Sequence, residues 1–202
     1  MTQGQLGYWI QQAVENVLHK NSVTIITRVL VDKKDKAFKH PTKLIGQKSW
    51  KKIVASPKPI KIVDIEEIKG LVNRNFVVIA CGGGGIPVIK KSGKFLGVEA
   101  VVDKDYATER LATQLKAQII VFITDVDYIY YNYGKSNQKP LSELDVKLAR
   151  KFLDEGQFKE GSMKPKVEAG IEFLENGGKK VIITSLQKLN KALAGKGGTV
   201  IE

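Results

Sequence analysis

Leu6, Ile10, Ala13, Val14, Val17 and Leu18 recur at helical spacing, and predict a helix over residues 5–20 with one broad apolar face. Val23 to Val31 is rich in β-branched residues and predicts a strand. Periodicity then lapses. From Asp32 to Pro59 the chain is polar and lysine-rich, with prolines at 41, 57 and 59, and reads as a loop or small excursion. Asp64 with Glu67 resembles a capping box, opening a helix to about Arg74. Phe76 to Cys81 and Ile119 to Thr124 are short continuous apolar runs, the mark of buried parallel strands. Between them Asp103 caps a helix in which Ala107, Leu111 and Leu115 recur every four residues. Ser142 opens a helix to about Glu155, and another runs from about Pro165 to Glu175, stopping before Asn176-Gly177-Gly178. Val181 to Thr184 is a further strand, and Gly195 to Thr199 reads as a turn before a terminal one. Alternating strands and helices imply an α/β fold with a mostly parallel sheet, whose ligands collect beyond the carboxyl ends of the strands.

A length of 202 residues with 43% hydrophobic content suits one α/β domain with a sizeable core. No apolar run approaches the roughly 20 residues that span a bilayer, and Met1 to Gln12 has no basic stretch leading into an apolar one. The expectation is a soluble cytoplasmic protein without a membrane partner. The single cysteine, Cys81, excludes an internal disulfide framework, and its apolar setting reads as a small buried hydrophobe. His19 and His40 lie far apart without ligands at metal spacing, so no metal site is predicted. The net charge of +12 could serve nucleic acid, anionic substrates or a solvated surface. The lysines are dispersed, in pairs such as Lys51-Lys52 and Lys90-Lys91, with no stripe alternating with aromatics. Nucleic acid is therefore not an expected partner.

The most informative stretch is Cys81-Gly82-Gly83-Gly84-Gly85-Ile86-Pro87, which follows a predicted core strand. Without side chains at Gly82, Gly83, Gly84 and Gly85, backbone N–H groups can surround a phosphate or small anion. The dinucleotide pattern fails because Pro87 stands where the last glycine belongs. Lys104 and Lys166 fall in the first turns of helices, Lys166 just after Pro165, a favoured first helical residue. The macrodipole disfavours cations there, which suggests an anion bound nearby, with Asp105 able to hold a lysine by ion pairing. Two ordinary exposed lysines fit the same positions. Asp125 and Asp127 leave a strand beside Tyr128, Tyr130, Tyr131 and Tyr133, which suits either a nucleotide pocket or a tyrosine-rich hairpin edge.

These pieces occur in a familiar order. Ser56-Pro57-Lys58-Pro59, Ile79 to Val88, Gly97 to Asp105, Thr124 to Asp127 and Gly161 to Ala169 together resemble carbamate kinase of the amino-acid kinase superfamily. The opening Gln3 to Trp9 and Pro41-Thr42-Lys43 are similar as well. The resemblance implies a three-layer α/β/α sandwich, one domain over 1–202, that forms a homodimer. It implies interconversion of carbamoyl phosphate plus ADP with carbamate plus ATP, with magnesium held mainly through the nucleotide phosphates, often in arginine breakdown. By position it makes Lys43, Lys104, Asp105 and Lys166 catalytic. Asp125, Asp127, Tyr130 and Met163 would line the nucleotide pocket, with the glycine loop as a further binding element.

The departures carry their own expectations. The family opens with a strand and a Gly-Gly-Asn loop, followed by a Gly-Asn-Gly-Pro segment near the carbamate. Neither occurs in this sequence, so the resemblance is to an N-terminally truncated member with an incomplete carbamate site. Residues 32–59 would be a shortened remnant of the protruding lid, with Gln47-Lys48-Ser49-Trp50 leading almost directly to Ser56. Leu44 and Lys164 replace the usual proline and glycine. The alternatives are an inactive relative that retains nucleotide or partner binding, a chain completed by a second one, and a basic nucleic-acid module. Lys166→Ala is expected to stop transfer and leave the fold intact, as removal of an exposed charge would.

Overall fold

The computed structural model describes residues 2–47 and 50–202; Met1, and Lys48 and Ser49 of the segment expected to be a lid remnant, lie outside the described residues. The chain forms two compact units, Met1–Leu115 and Lys116–Glu202. The first contains helix α1 (Thr2–Leu18) and strands β1 (Ser22–Thr24), β2 (Arg28–Val31), β3 (Lys43–Gln47), β4 (Trp50–Val54) and β5 (Pro59–Ile62). Helix α2 (Ile65–Val72), strands β6 (Val77–Ile79), β7 (Ile86–Lys91) and β8 (Lys94–Gly97), and helix α3 (Lys104–Leu115) complete it.

The predicted strand over Val23–Val31 is two strands, because the chain changes neighbours midway. β1 pairs in parallel with β6, and the Ile25 amide still bonds to the Ile79 carbonyl. By Thr27 the partner is the β7 side, where the Thr27 carbonyl accepts the Ile86 N–H. β2 then lies between β5 and β7 in a four-stranded sheet ordered β5-β2-β7-β8. The polar stretch that reads as a loop holds an antiparallel hairpin, β3 with β4. Its apolar residues are too few and too exposed for period two to show.

Two further differences have local causes. Asp64 does not cap α2; its carboxylate accepts the Arg28 backbone N–H at 2.7 Å and pairs with the Arg28 guanidinium. A charged, bidentate partner from β2 outcompetes a local amide. The apolar residues of α1 are also not its seat: Leu6, Ile10, Val17 and Leu18 are exposed. The helix rests on β1 through Gly7 and Gln11, one turn apart. Ser22 Oγ donates to the Gln11 carbonyl and to Glu15, and Thr24 Oγ1 donates to Gln11 Oε1. A Cβ on Gly7 would stand 2.1 Å from Thr24 Cγ2, so the close approach requires glycine. The unit's core gathers Val29, Val31, Ile62, Ile65, Ile68, Val102 and Ala107.

The second unit holds β9 (Ile119–Thr124), β10 (Ile129–Tyr131), β11 (Lys139–Leu141), β12 (Glu143–Leu144), α4 (Val146–Asp154), α5 (Met163–Glu175), β13 (Lys180–Ser185), α6 (Leu189–Leu193) and β14 (Thr199–Ile201). Its sheet is ordered β12-β14-β13-β9. β9 and β13 pair in parallel over six residues, while β14 runs antiparallel to β13. Val167, Ile171 and Phe173 of α5 are buried with Val181 and Ile183 of β13, and α5 ends where the Gly178 N–H returns to the Phe173 carbonyl. Asp145, not Ser142, caps α4, its carboxylate accepting the Leu148 N–H at 2.6 Å. α5 begins at Met163, two residues before Pro165, which places Lys166 fourth in the helix.

Candidate active site

In the first unit the glycine loop turns through Gly82–Gly84 and presses on the entrance to α3. Gly84 has φ of +95°, and a Cβ there would stand 1.9 Å from the Val102 carbonyl oxygen. Only glycine permits both. Of the loop's amides, those of Cys81, Gly84, Gly85 and Ile86 bond within the fold, leaving Gly82 and Gly83 as its remaining donors among the described residues. Cys81 is buried, and burial pushes its thiol up to about 12 against the opposing hydrogen bond with Thr27. It stays a neutral thiol.

Val102 leads directly to the charged groups. Asp103 accepts the Asp105 N–H at 2.9 Å through Oδ1 and faces Lys43 Nζ at 3.4 Å through Oδ2. Lys43 stands at the base of the β3–β4 hairpin, far away in sequence. Asp105 is 5% exposed, and Lys104 Nζ lies 4.0 Å from its Oδ2 while the rest of that side chain reaches into solvent. Three residues assigned to catalysis, Lys43, Lys104 and Asp105, thus meet beside the loop that holds Gly82 to Gly85. Asp103 binds them together. From sequence it reads only as a helix cap, and its second oxygen's partner is set by tertiary contact.

In the second unit Lys166 is 5% exposed, with Nζ 3.5 Å from the Ser162 carbonyl. This corrects the expectation of an exposed charge: α5 lies on β13, and a residue in its fourth position is covered. A cavity of about 430 Å³ opens beyond the end of β9. Asp125, Tyr128, Tyr130 and Tyr133 line one side, and Gln157, Phe158, Lys159 and Met163 line another. Tyr130 and Tyr133 have ring centroids 5.8 Å apart, and Tyr128 meets Tyr130 edge-on at 6.5 Å. Burial, then the charge of Asp127, holds the Tyr130 phenol above its ordinary value, so the ring stays neutral. The aromatic segment is also the edge of the β10–β11 hairpin, as the second reading of it expects.

Asp127 is not among the residues lining the cavity. Its carboxylate accepts the Ser185 hydroxyl at 2.5 Å and its carbonyl the Thr184 hydroxyl at 3.4 Å, anchoring the turn to the end of β13. The 155–159 segment of the lining reads in sequence only as the end of a helix. Its place is fixed by contacts such as the Asn132 N–H donating to Gln157 Oε1 at 3.1 Å. Among the described residues no group of three or more His, Cys, Asp and Glu could hold a metal ion. Magnesium needs no such cage, since it keeps much of its water and binds through phosphates with one or two carboxylates.

Lysines gathered where a glycine loop meets a helix start, and a cavity of nucleotide scale beyond a strand end, are the parts of a phosphotransferase of the α/β type, and residues 23–185 match the amino acid kinase family. Along all of its length the chain is 43% identical to the carbamate kinase of Thermoplasma acidophilum, covering 74% of that protein. It is 41% identical to carbamate kinase 2 of Staphylococcus aureus, again covering 74%. The carbamate kinase of Giardia lamblia bound to AMP-PNP superposes on 98% of this chain, and on 72% of its own, with a TM-score of 0.92 and 38% identity. The chain belongs to the carbamate kinase family.

Proposed function

We propose that this chain transfers a phosphoryl group between carbamoyl phosphate and ADP, giving ATP and carbamate. The observation that carries the reading is the cluster at the start of α3: two lysine ammoniums, Lys43 and Lys104, set against Asp103 and Asp105 beside the glycine loop. A terminal phosphate oxygen of ADP attacks the phosphorus of carbamoyl phosphate in line, the bond from phosphorus to the carbamoyl oxygen breaks, and carbamate departs with that electron pair. Charge spreads over the three equatorial oxygens, and fixed cations stabilise it without covalent participation. Lys43 and Lys104 supply those cations, Asp105 orients Lys104, and Lys166 of the second unit has the same role by its place in the family's motif. The adenosine end of the nucleotide occupies the cavity of Asp125, Tyr130 and Met163, in keeping with the AMP-PNP bound by the Giardia relative. Magnesium, when bound through the nucleotide phosphates, supplies further charge neutralisation.

The same reading makes the whole chain one functional domain, with the β3–β4 hairpin as the remaining lid. It makes the chain a homodimer, as the resemblance implies. It also places the protein in the cytoplasm; no helix among the described residues is long and apolar enough to cross a membrane. A second reading, nucleotide binding without transfer, rests on the cavity lying wholly within residues 125–163. The test is ATP formation from carbamoyl phosphate, ADP and magnesium, with Lys166→Met as control and ADP binding measured by calorimetry. Transfer should fall about 100-fold or more in the variant while ADP still binds. Binding of ADP by a folded wild-type chain that forms no ATP would leave the second reading standing, and equal rates in the two proteins would refute the role of Lys166.

A further inference from the structure

One residue ties down both ends of the glycine loop. Thr27 is fully buried. Its hydroxyl accepts the Cys81 N–H at 2.9 Å and donates to the Ile25 carbonyl at 2.9 Å. Its carbonyl accepts the Ile86 N–H at 2.8 Å. Cys81 and Ile86 flank the four glycines, so the loop's first and last amides hang from the same residue. Thr27 is itself gripped from α1: its N–H donates to Gln3 Oε1 at 3.0 Å, and Gln3 Nε2 donates to its carbonyl at 3.4 Å. Gln3 also touches the loop, since a Cβ on Gly82 would lie 3.3 Å from Gln3 Cα and Cγ.

Four consecutive glycines have the largest conformational freedom of any tetrapeptide, and left alone they would not hold two N–H groups in a fixed direction. We propose that Thr27, held by Gln3, is a positioning residue that fixes the Gly82 and Gly83 amides toward the small phosphoryl substrate. The inference deepens the carbamoyl phosphate reading and rests on it. It also predicts selectivity. The loop belongs to the first unit, whereas the cavity assigned to the adenosine end of ADP is lined only by residues of the second, so loosening the loop should weigh more on carbamoyl phosphate than on ADP.

Thr27→Val keeps the shape and removes the hydroxyl, leaving the Cys81 N–H and the Ile25 carbonyl unpaired. Thr27→Ser restores both bonds, and Gln3→Met removes the grip from an exposed helix without touching the core. In steady-state ATP formation, Thr27→Val should raise KM for carbamoyl phosphate about tenfold, with KM for ADP changed less than about twofold. Thr27→Ser should recover most of that loss, and Gln3→Met should shift the same constant in the same direction by less. Equal shifts in both KM values, no shift in a folded Thr27→Val, or a serine variant no better than valine would each overturn the proposal. If Thr27→Val does not fold, Gln3→Met decides by the same criterion. Backbone hydrogen exchange over residues 81–86, read with and without carbamoyl phosphate, separates this inference from the reading it rests on. Substrate protection of the loop that is lost in Gln3→Met supports positioning even in a chain that forms no ATP. A loop whose exchange and protection match wild type in Gln3→Met refutes it.

Discussion

Gly84→Ala tests the contact between the glycine loop and the start of α3. Alanine at φ of +95° is strained, by roughly 1–2 kcal/mol for a left-handed residue bearing a Cβ. The new methyl would also stand 1.9 Å from the Val102 oxygen and 2.9 Å from its carbonyl carbon. Ordinary contact begins more than an ångström further out, so loop or carbonyl must move. Val102 is 1% exposed and packed in the core, so it cannot yield cheaply. Overpacking of this kind costs about 1–3 kcal/mol. Gly83→Ala is the matched control. Its φ is +67°, but nothing lies within 4 Å of the added Cβ, so only the backbone strain applies. In urea unfolding followed by circular dichroism, Gly84→Ala should therefore lose at least about 1 kcal/mol more than Gly83→Ala. It should also slow phosphoryl transfer more, because the displaced segment leads into Asp103 and Lys104. Equal stability losses in the two variants would refute the packing argument, whatever happens to the rate.

The Cys81 thiol gives a pH signature. Folding raises it from 9.0 to about 12, so between those values the folded chain holds a proton that the unfolded chain has released. Stability from this group is complete below pH 9, declines as pH rises and is gone above about 12, with a slope of at most about 1.4 kcal/mol per pH unit. The unfolding free energy of wild type minus that of Cys81→Ala should fall accordingly from pH 9 upward; a difference independent of pH would contradict it. Lys166→Ala should cost about 2 kcal/mol through the cavity left by a buried stem, while Lys166→Met should be near wild type, and thermal melts of the two check this. Light scattering should give twice the 22.3 kDa chain mass; a wild-type monomer would remove the dimer.

Much of the candidate site was legible because the residues proposed for its chemistry stand in unusual local sequence. Four glycines after an apolar run, a lysine beside an acid at a capped helix start, and tyrosines after a strand each have a local physical reason, and their order along the chain resembles one family. Asp103 caps α3 as its sequence predicts, since a cap needs only neighbours within one turn. Readings that depended on a distant partner went differently. Asp64 has the spacing of a cap, but Arg28, 36 residues away, takes its carboxylate.

Burial followed the same division. Helical period marked an apolar face on α1, yet the helix sits on Gly7 and Gln11, because Gly7 lets it approach β1 more closely than a leucine would. Lys166 is polar by identity and buried by position, since α5 packs along β13 with Pro165, Lys166 and Val167 on the covered side. Thr27 shows no signal in sequence at all. The sequence alone determined which residues could do chemistry and the order of the elements that carry them, because propensity, capping and periodicity act within a turn or two. The tertiary structure decided which carboxylate met which cation, which helix face lay inward and which residue held the glycine loop, because those depend on contacts between segments tens of residues apart.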